Sequence, residues 1–201
     1  ELESNPYSYQ MVERELGMLY NDRTPKPVLG EMKEFSSWID KLDFELPAAQ
    51  TDAVCLLTRD QNHWGVAYMT HILCKKVGLN CRFAYADNRL PDSKLYIMPS
   101  ISGIQIMPKG RYDELKKRVC EGADLYISCG NAVLSEFEEL TGLKVMDSYT
   151  CNESFNAQIG DESITFSRPR TVTVKPIAAQ VLAYDSNNIP FVSVNKYGKG
   201  R

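Results

Sequence analysis

From Ala53 to Ser128, short apolar runs alternate with stretches whose apolar positions recur every three or four residues, the pattern of a parallel sheet crossed by helices. The runs AVCLLT from Ala53, NCRFAYA from Asn80, LYIMPS from Leu95 and LYIS from Leu125 each predict a strand. Between the first two, Trp64 to Val77 predicts a helix in which Val66, Met69, Leu73 and Val77 form one apolar stripe. Gly78 stops that helix, and His71 falls off the stripe onto the surface. A second helix is expected from Pro108 through Cys120, with Leu115 and Val119 one turn apart and Gly122 as its stop.

The flanks differ in texture. Pro6 to Leu42 is helical in character in two pieces, YSYQMVERELGML and PVLGEMKEFSSWIDKL, separated by a break at Asn21 to Lys26. Pro27 suits a first helical turn, and Met32, Phe35, Ile39 and Leu42 recur as a stripe that needs something to bury against. Glu13 and Glu15, two apart, point to different faces of a helix and read as solvated charge, not as an acid/base pair. After Met146 the pattern turns to β: SFNAQ, SITF, TVTVK, QVLAYD and PFVSVNKYG, with turns at Gly160-Asp161 and Ser186-Asn187-Asn188.

In such sheets ligands sit beyond the carboxyl ends of the strands. Those ends carry Arg59, Asp60, Gln61, Asn62, His63 and Trp64, then Asp87, Asn88 and Arg89, then Ser100 to Gly103, then Cys129, Gly130 and Asn131. Both charges mixed with amides suit a wet docking surface, and only His63 in that rim titrates near neutrality. Cys129 ends an apolar run, Gly130 permits a sharp turn, and Asn131 can cap a helix from Ala132 to Leu140. A thiol so placed would stand at a helix N-terminus, where the dipole favours thiolate.

At 201 residues the chain has room for one α/β domain with appendages. A net charge of −3 and a pI near 5.5 give no electrostatic case for nucleic acid or an anionic membrane surface. No run approaches the ~18 apolar residues of a membrane span, so a soluble, cytoplasmic protein is expected. The six cysteines, Cys55, Cys74, Cys81, Cys120, Cys129 and Cys151, contain no C-x-x-C pair, and with two histidines they predict no metal site. Most lie in apolar patterns and are expected to be reduced core thiols, with Cys151, in a polar loop, the most exposed. Asn152-Glu153-Ser154 matches a glycosylation acceptor, which carries no meaning in a cytosolic protein. Neither G-x-G-x-x-G after the first strand nor a Walker lysine loop is present, so no cofactor is expected. The opening at Glu1 and the close at Tyr197-Gly198-Lys199-Gly200-Arg201 suggest a piece of something longer.

The turn around Cys129 resembles the nucleophile turn of class I glutamine amidotransferases: strand, Cys, Gly, then a helix ending in Gly before an LKV-like strand. In that family the base is a downstream histidine and a glycine-rich turn after the third strand builds the oxyanion hole. Here His63 and His71 both precede Cys129, and the third strand runs into Pro99-Ser100-Ile101-Ser102-Gly103. With those two parts missing, Cys129 is expected to be an ordinary thiol.

Two further stretches resemble glycoside hydrolases. ERELGMLYNDRTPKPVLGEMKEF is similar to the segment that closes the (β/α)8 barrel of clan A enzymes, departing from it at Arg23. VLAYDSNNIPFVSVNKYGKGR resembles the end of the amidotransferase-like domain that follows the barrel in family forty-two β-galactosidases, where it is called the trimerisation domain. Together the resemblances imply a barrel end at 1–46, a flavodoxin-like or amidotransferase-like α/β sheet with helices on both faces at 47–147, and a β-rich segment at 148–201. The implied role is non-catalytic assembly. The paired carboxylates of such enzymes sit on barrel strands that this chain does not contain, so no catalytic residue is assigned. The expected partner is the remainder of the parent chain, through Arg59, Asp60, Asn62, His63, Trp64, Asp87, Asn88, Arg89, Ser100 and Asn131, with a homo-oligomer left open. Two other readings stand beside this one: a Cys-dependent hydrolase using Cys129 with His63 as base, and a flavodoxin-like module taking a small ligand at the rim.

Overall fold

A computed structural model describes residues 17–20, 22–45, 47–151, 153–167 and 170–201. The chain divides into two compact units, residues 1–49 and 50–201, and each is described by itself.

In the first unit, helix α1 spans Pro27–Ile39 with Pro27 in its first turn, and Asp40, not Leu42, closes it. A turn precedes it, in which Leu19 bridges Pro25 and Asp22 Oδ1 accepts from the Thr24 amide at 2.9 Å and its hydroxyl at 2.6 Å. Arg23 takes a positive φ of 68° there. The first predicted helical piece, with Glu13 and Glu15, lies outside the described residues except for Gly17 to Leu19, which lead into this turn and are not helical. Helix α1 buries none of its residues: Met32, Phe35, Trp38 and Ile39 are exposed, and Phe35 and Trp38 stack at 5.9 Å.

The second unit is built on four parallel strands, β1 (Ala53–Leu57), β2 (Cys81–Tyr85), β3 (Leu95–Ile101) and β4 (Asp124–Cys129), in the order β2-β1-β3-β4. β1 is central and entirely buried, which is why its sequence reads as an unbroken apolar run. Side chains alternate across the sheet. Val54 and Leu56 with Tyr96 and Met98 face helix α3 (Lys109–Glu121), whose Tyr112, Leu115 and Val119 complete the larger core. Ala53 and Ile97 face helix α2 (His63–Lys76), where the second core is small and takes Cys74 from the helix.

The two helices are seated differently. The predicted stripe of α2 does not face the sheet: Thr70 and Cys74 are its buried residues, while Met69, Leu73 and Val77 are 51%, 57% and 71% exposed. His71 is exposed, as its position off the stripe predicts. α3 buries its apolar positions as expected, with Pro108 as N-cap and Gly122 closing it at φ 125°. The β2–β3 connection has no helix and is held by Arg118 of α3, whose guanidinium donates to the carbonyls of Leu90 (3.1 Å) and Pro91 (2.8 Å) and to Glu114 (2.7 Å).

The β-rich remainder follows a short helix α4 (Phe137–Thr141). β5 (Leu143–Thr150) pairs with β8 (Arg170–Pro176), β6 (Ser154–Ile159) with β7 (Glu162–Ser167), and β9 (Gln180–Tyr184) with β10 (Pro190–Val194), all antiparallel. The turns at Gly160-Asp161 and Ser186 to Asn188 fall where the sequence puts them. Phe166 stacks between Phe155 at 5.9 Å and Phe191 at 4.4 Å, joining the β6–β7 hairpin to β10. The Arg201 carbonyl accepts from the Leu125 amide of β4 at 2.8 Å.

Candidate functional site at the strand ends

Strand order reverses between β1 and β3, and the crevice beyond that point is where a sheet of this kind offers a ligand site. Here it is filled by the chain itself. Gln61, 7% exposed, turns inward from the β1 end. Its Nε2 donates to the carbonyls of Pro99 at 2.6 Å and Ser100 at 3.0 Å, and its Oε1 accepts from the Thr58 amide at 2.9 Å. The Thr58 hydroxyl donates to the Ser102 carbonyl at 3.2 Å, and Asp60 Oδ2 accepts from the Ile104 amide at 3.3 Å. Asp60 lies so close that a Cβ on Gly103 would meet it at 2.3 Å, which with φ 89° requires glycine there.

The other rim residues are also occupied in local structure. Asn62 caps α2 through Oδ1, accepting from the Gly65 amide at 3.0 Å. His63 Nε2 is 2.7 Å from the Thr58 carbonyl, and its ring meets Tyr85 edge-on at 5.3 Å. Arg59 pairs with Asp87 at 3.0 Å and lies over the Tyr85 ring at 3.7 Å; the guanidinium holds the Asp87 carboxyl below its ordinary value. Asn88 and Arg89 are exposed, and the Ser100 amide, at φ 50°, donates to Ser128 Oγ at 2.8 Å. Trp64 stands apart, 79% exposed and stacked on Tyr68.

Cys129 does not stand at a helix N-terminus. The helix expected from Ala132 is reduced to Phe137–Thr141, and Asn131 Oδ1 accepts from the Gly103 amide at 2.9 Å in place of capping it. Glu136 enters α4 in a left-handed conformation, φ 55°, paired with Lys109 at 3.2 Å and with Lys116. Although Cys129 is an exposed residue, surrounding protein pushes its thiol up to about 11, away from thiolate. His63 is not its partner in position: it packs on β2 and β1, whereas Cys129 ends β4, two strand spacings from β1, or ~10 Å by the ordinary spacing. Gly130 matters for packing, since a Cβ there would lie 2.9 Å from the Ile101 and Ser100 carbonyls.

The cysteines are unpaired, but Cys151 is half-buried while Cys120 and Cys129 are the exposed ones, a correction to the expected order. Cys55, Cys74 and Cys81 gather between β1, β2 and α2, where a hydrogen bond with Cys81, together with burial, raises the Cys55 thiol, and burial beside Cys81 raises that of Cys74. Among the described residues no group of three ligating side chains is placed to hold a metal ion, and no helix is long and apolar enough to cross a membrane. A surface depression lined by Val133, Leu134, Phe137, Glu139 and Val145 includes no rim residue. The sequence names the rim but not Gln61 as the residue that fills it, because a polar loop residue turning inward leaves no periodic mark.

This fold recurs within solved glycosidases. The exo-β-1,4-mannosidase Op5Man5 of Opitutaceae bacterium strain TAV5 matches 98% of the chain with a TM-score of 0.70 at 18% identity. The cold-adapted β-galactosidase of Rahnella sp. R3 matches 76% of it (TM-score 0.61, 14% identity). The β-galactosidase of the psychrophilic Marinomonas ef1 matches 90% (TM-score 0.60, 15% identity). The chain spans 37%, 28% and 32% of the lengths of these proteins, about a third. The sequence matches no family model and no curated protein.

Proposed function

We propose that this chain is a non-catalytic, amidotransferase-like domain of a glycoside hydrolase of β-galactosidase type, serving assembly or docking against the rest of its enzyme in the cytoplasm. Its flavodoxin-like sheet would follow a barrel whose last helices are residues 1–46, with 47–147 as the α/β part and 148–201 as the β-rich part. The observation that carries this reading is the bonded switch point: Gln61 turns into the crevice and bonds to the β3 end, and Asp60 accepts from the loop that follows it, so the polar groups there are engaged with the chain itself. The resemblance to proteins described as β-galactosidases and a mannosidase supports the enzyme class. The rim pair Arg59–Asp87, half exposed on a tyrosine, has the chemistry of a wet interface.

The purified chain should hydrolyse neither nitrophenyl β-galactoside, nitrophenyl β-mannoside nor glutamine above a buffer blank. Glutamine hydrolysis abolished by Cys129→Ser would instead establish the thiol hydrolase reading. In the enzyme that carries this domain, Arg59→Ala should weaken assembly while the protomers stay folded; unchanged assembly would remove the rim from the docking role.

A further inference from the structure

We infer that Cys81 and Cys74 are a redox-sensitive thiol pair: hydrogen peroxide oxidises Cys81, and Cys74 resolves the product into a disulfide that staples the end of α2 to the edge strand β2. The inference does not rest on the docking role, because it involves none of the rim residues. Parallel register sets Cys81 opposite Ala53, on the sheet face that packs against α2. Cys55, two residues beyond Ala53 on β1, lies on that face as well. α2 adds Cys74, buried against Ala53 with Cys81 packed beside it. Cys81 takes hydrogen bonds from both of the other thiols, that of Cys55 first, and these hold its own thiol down to about 7 from an ordinary 9.0. It is also the member of the cluster that a small oxidant reaches: Cys55 and Cys74 are buried, while Cys81 is half-buried at the first residue of an edge strand. Its resting S–H donates to the Arg82 carbonyl at 3.6 Å, a weak bond whose loss costs little.

The Cys81 thiolate attacks one peroxide oxygen, the O–O bond breaks, the departing hydroxide takes up the thiol's proton as water, and Cys81 becomes a sulfenic acid. The Cys74 thiol then attacks that sulfur: the S–S bond forms, the S–O bond breaks, and hydroxide leaves with the Cys74 proton as a second water. Cys55 is the wrong resolving thiol. It pairs in register with Phe83, so its Cα lies one strand across and two residues along from that of Cys81, about 8 Å at ordinary spacings, and both strands are fixed in the sheet. A disulfide needs less than about 7 Å. Cys74 sits near a helix end, and the connection beyond it turns at Gly78 (φ 78°) in open space, free to take up a small shift.

Peptide mapping of the full chain tests this. After about one equivalent of hydrogen peroxide and then alkylation, a Cys74–Cys81 disulfide should be the main product, lost on adding dithiothreitol. Cys74→Ser should instead leave a sulfenic acid at Cys81 that dimedone traps, and Cys81→Ser should abolish both products. The bond closes a loop of about eight residues, so the oxidised chain should show an unfolding constant in urea at least about tenfold below that of the reduced chain. Three results of mapping the wild type, which need no variant to fold, overturn the pair: Cys120 or Cys129 oxidised ahead of Cys81, a bond between Cys55 and Cys81, or Cys81 passing to sulfinic acid with no bond formed. An oxidised chain no more stable than the reduced one overturns the staple.

Discussion

Tyr112 is 2% exposed, and its hydroxyl is a buried side-chain group without a hydrogen-bond partner among the described residues. Its ring is worth burying, but the hydroxyl is desolvated for no return, so Tyr112→Phe should raise stability by about 1 kcal/mol in urea unfolding. Burial also pushes the phenol up from 10.0 to about 12, so between those values the native state keeps a proton that the unfolded chain has lost. Stability must then fall as pH rises from about 10 to about 12, and Tyr112→Phe should flatten that fall. The Cys129 thiol, pushed up from 9.0 to about 11, acts in the same direction one unit lower. At Gln61 the balance is reversed, because every polar atom of its amide group is engaged at buried carbonyls or an amide. Gln61→Ala should therefore cost about 2 to 4 kcal/mol in the same measurement, from stranding the Thr58 amide and the β3-end carbonyls. A change within about 0.5 kcal/mol would show the crevice to be plastic, and would weaken the case against a ligand there.

Among elements, α2 is where sequence and structure part most usefully. The central strands β1 and β3 were legible because burial on both faces leaves a near-continuous apolar run with no choice of face to make, and the edge strands β2 and β4, only partly buried, were legible as short apolar-rich runs between turn signals. Helix α3 was legible because its apolar residues lie on one arc only. α2 carries apolar residues around more than half its circumference, so periodicity found a stripe but could not tell that the sheet takes the other side. The sheet face above it presents Ala53, Cys55 and Ile97 as buried residues, and small Thr70 and Cys74 pack against them where leucine would not fit. Two substitutions separate the alternatives. Cys74→Leu should cost about 1 to 3 kcal/mol by overpacking, whereas Leu73→Ser, measured in dilute protein, should stay within about 0.5 kcal/mol. The stripe read from sequence predicts the opposite ranking. The helix after Cys129 was lost for a different reason: Asn131, the residue able to cap it, bonds to Gly103 across the β3–β4 ends, a tertiary contact with no local signature.

At the scale of the molecule, the two compact units differ in what protects them. Residues 50–201 hold strands β1 and β3 with buried side chains on both sheet faces, so their amides exchange only through opening of most of the unit. In residues 1–49 the one described helix, α1, has 13 residues and buries none of them. A helix of that length is marginal in water when its own hydrogen bonds are all that supports it, and its stripe of Met32, Phe35 and Ile39 supplies stability only once something covers it. Hydrogen exchange read by mass spectrometry should thus give two classes of peptide. Those from 53–57 and 95–101 should be protected to nearly the global unfolding free energy, and those from 27–39 should exchange orders of magnitude faster. If the α1 peptides are protected as well as β1, their apolar face is covered in solution. A dilution series then decides by what: protection lost on dilution means another copy, and protection that persists means the same chain.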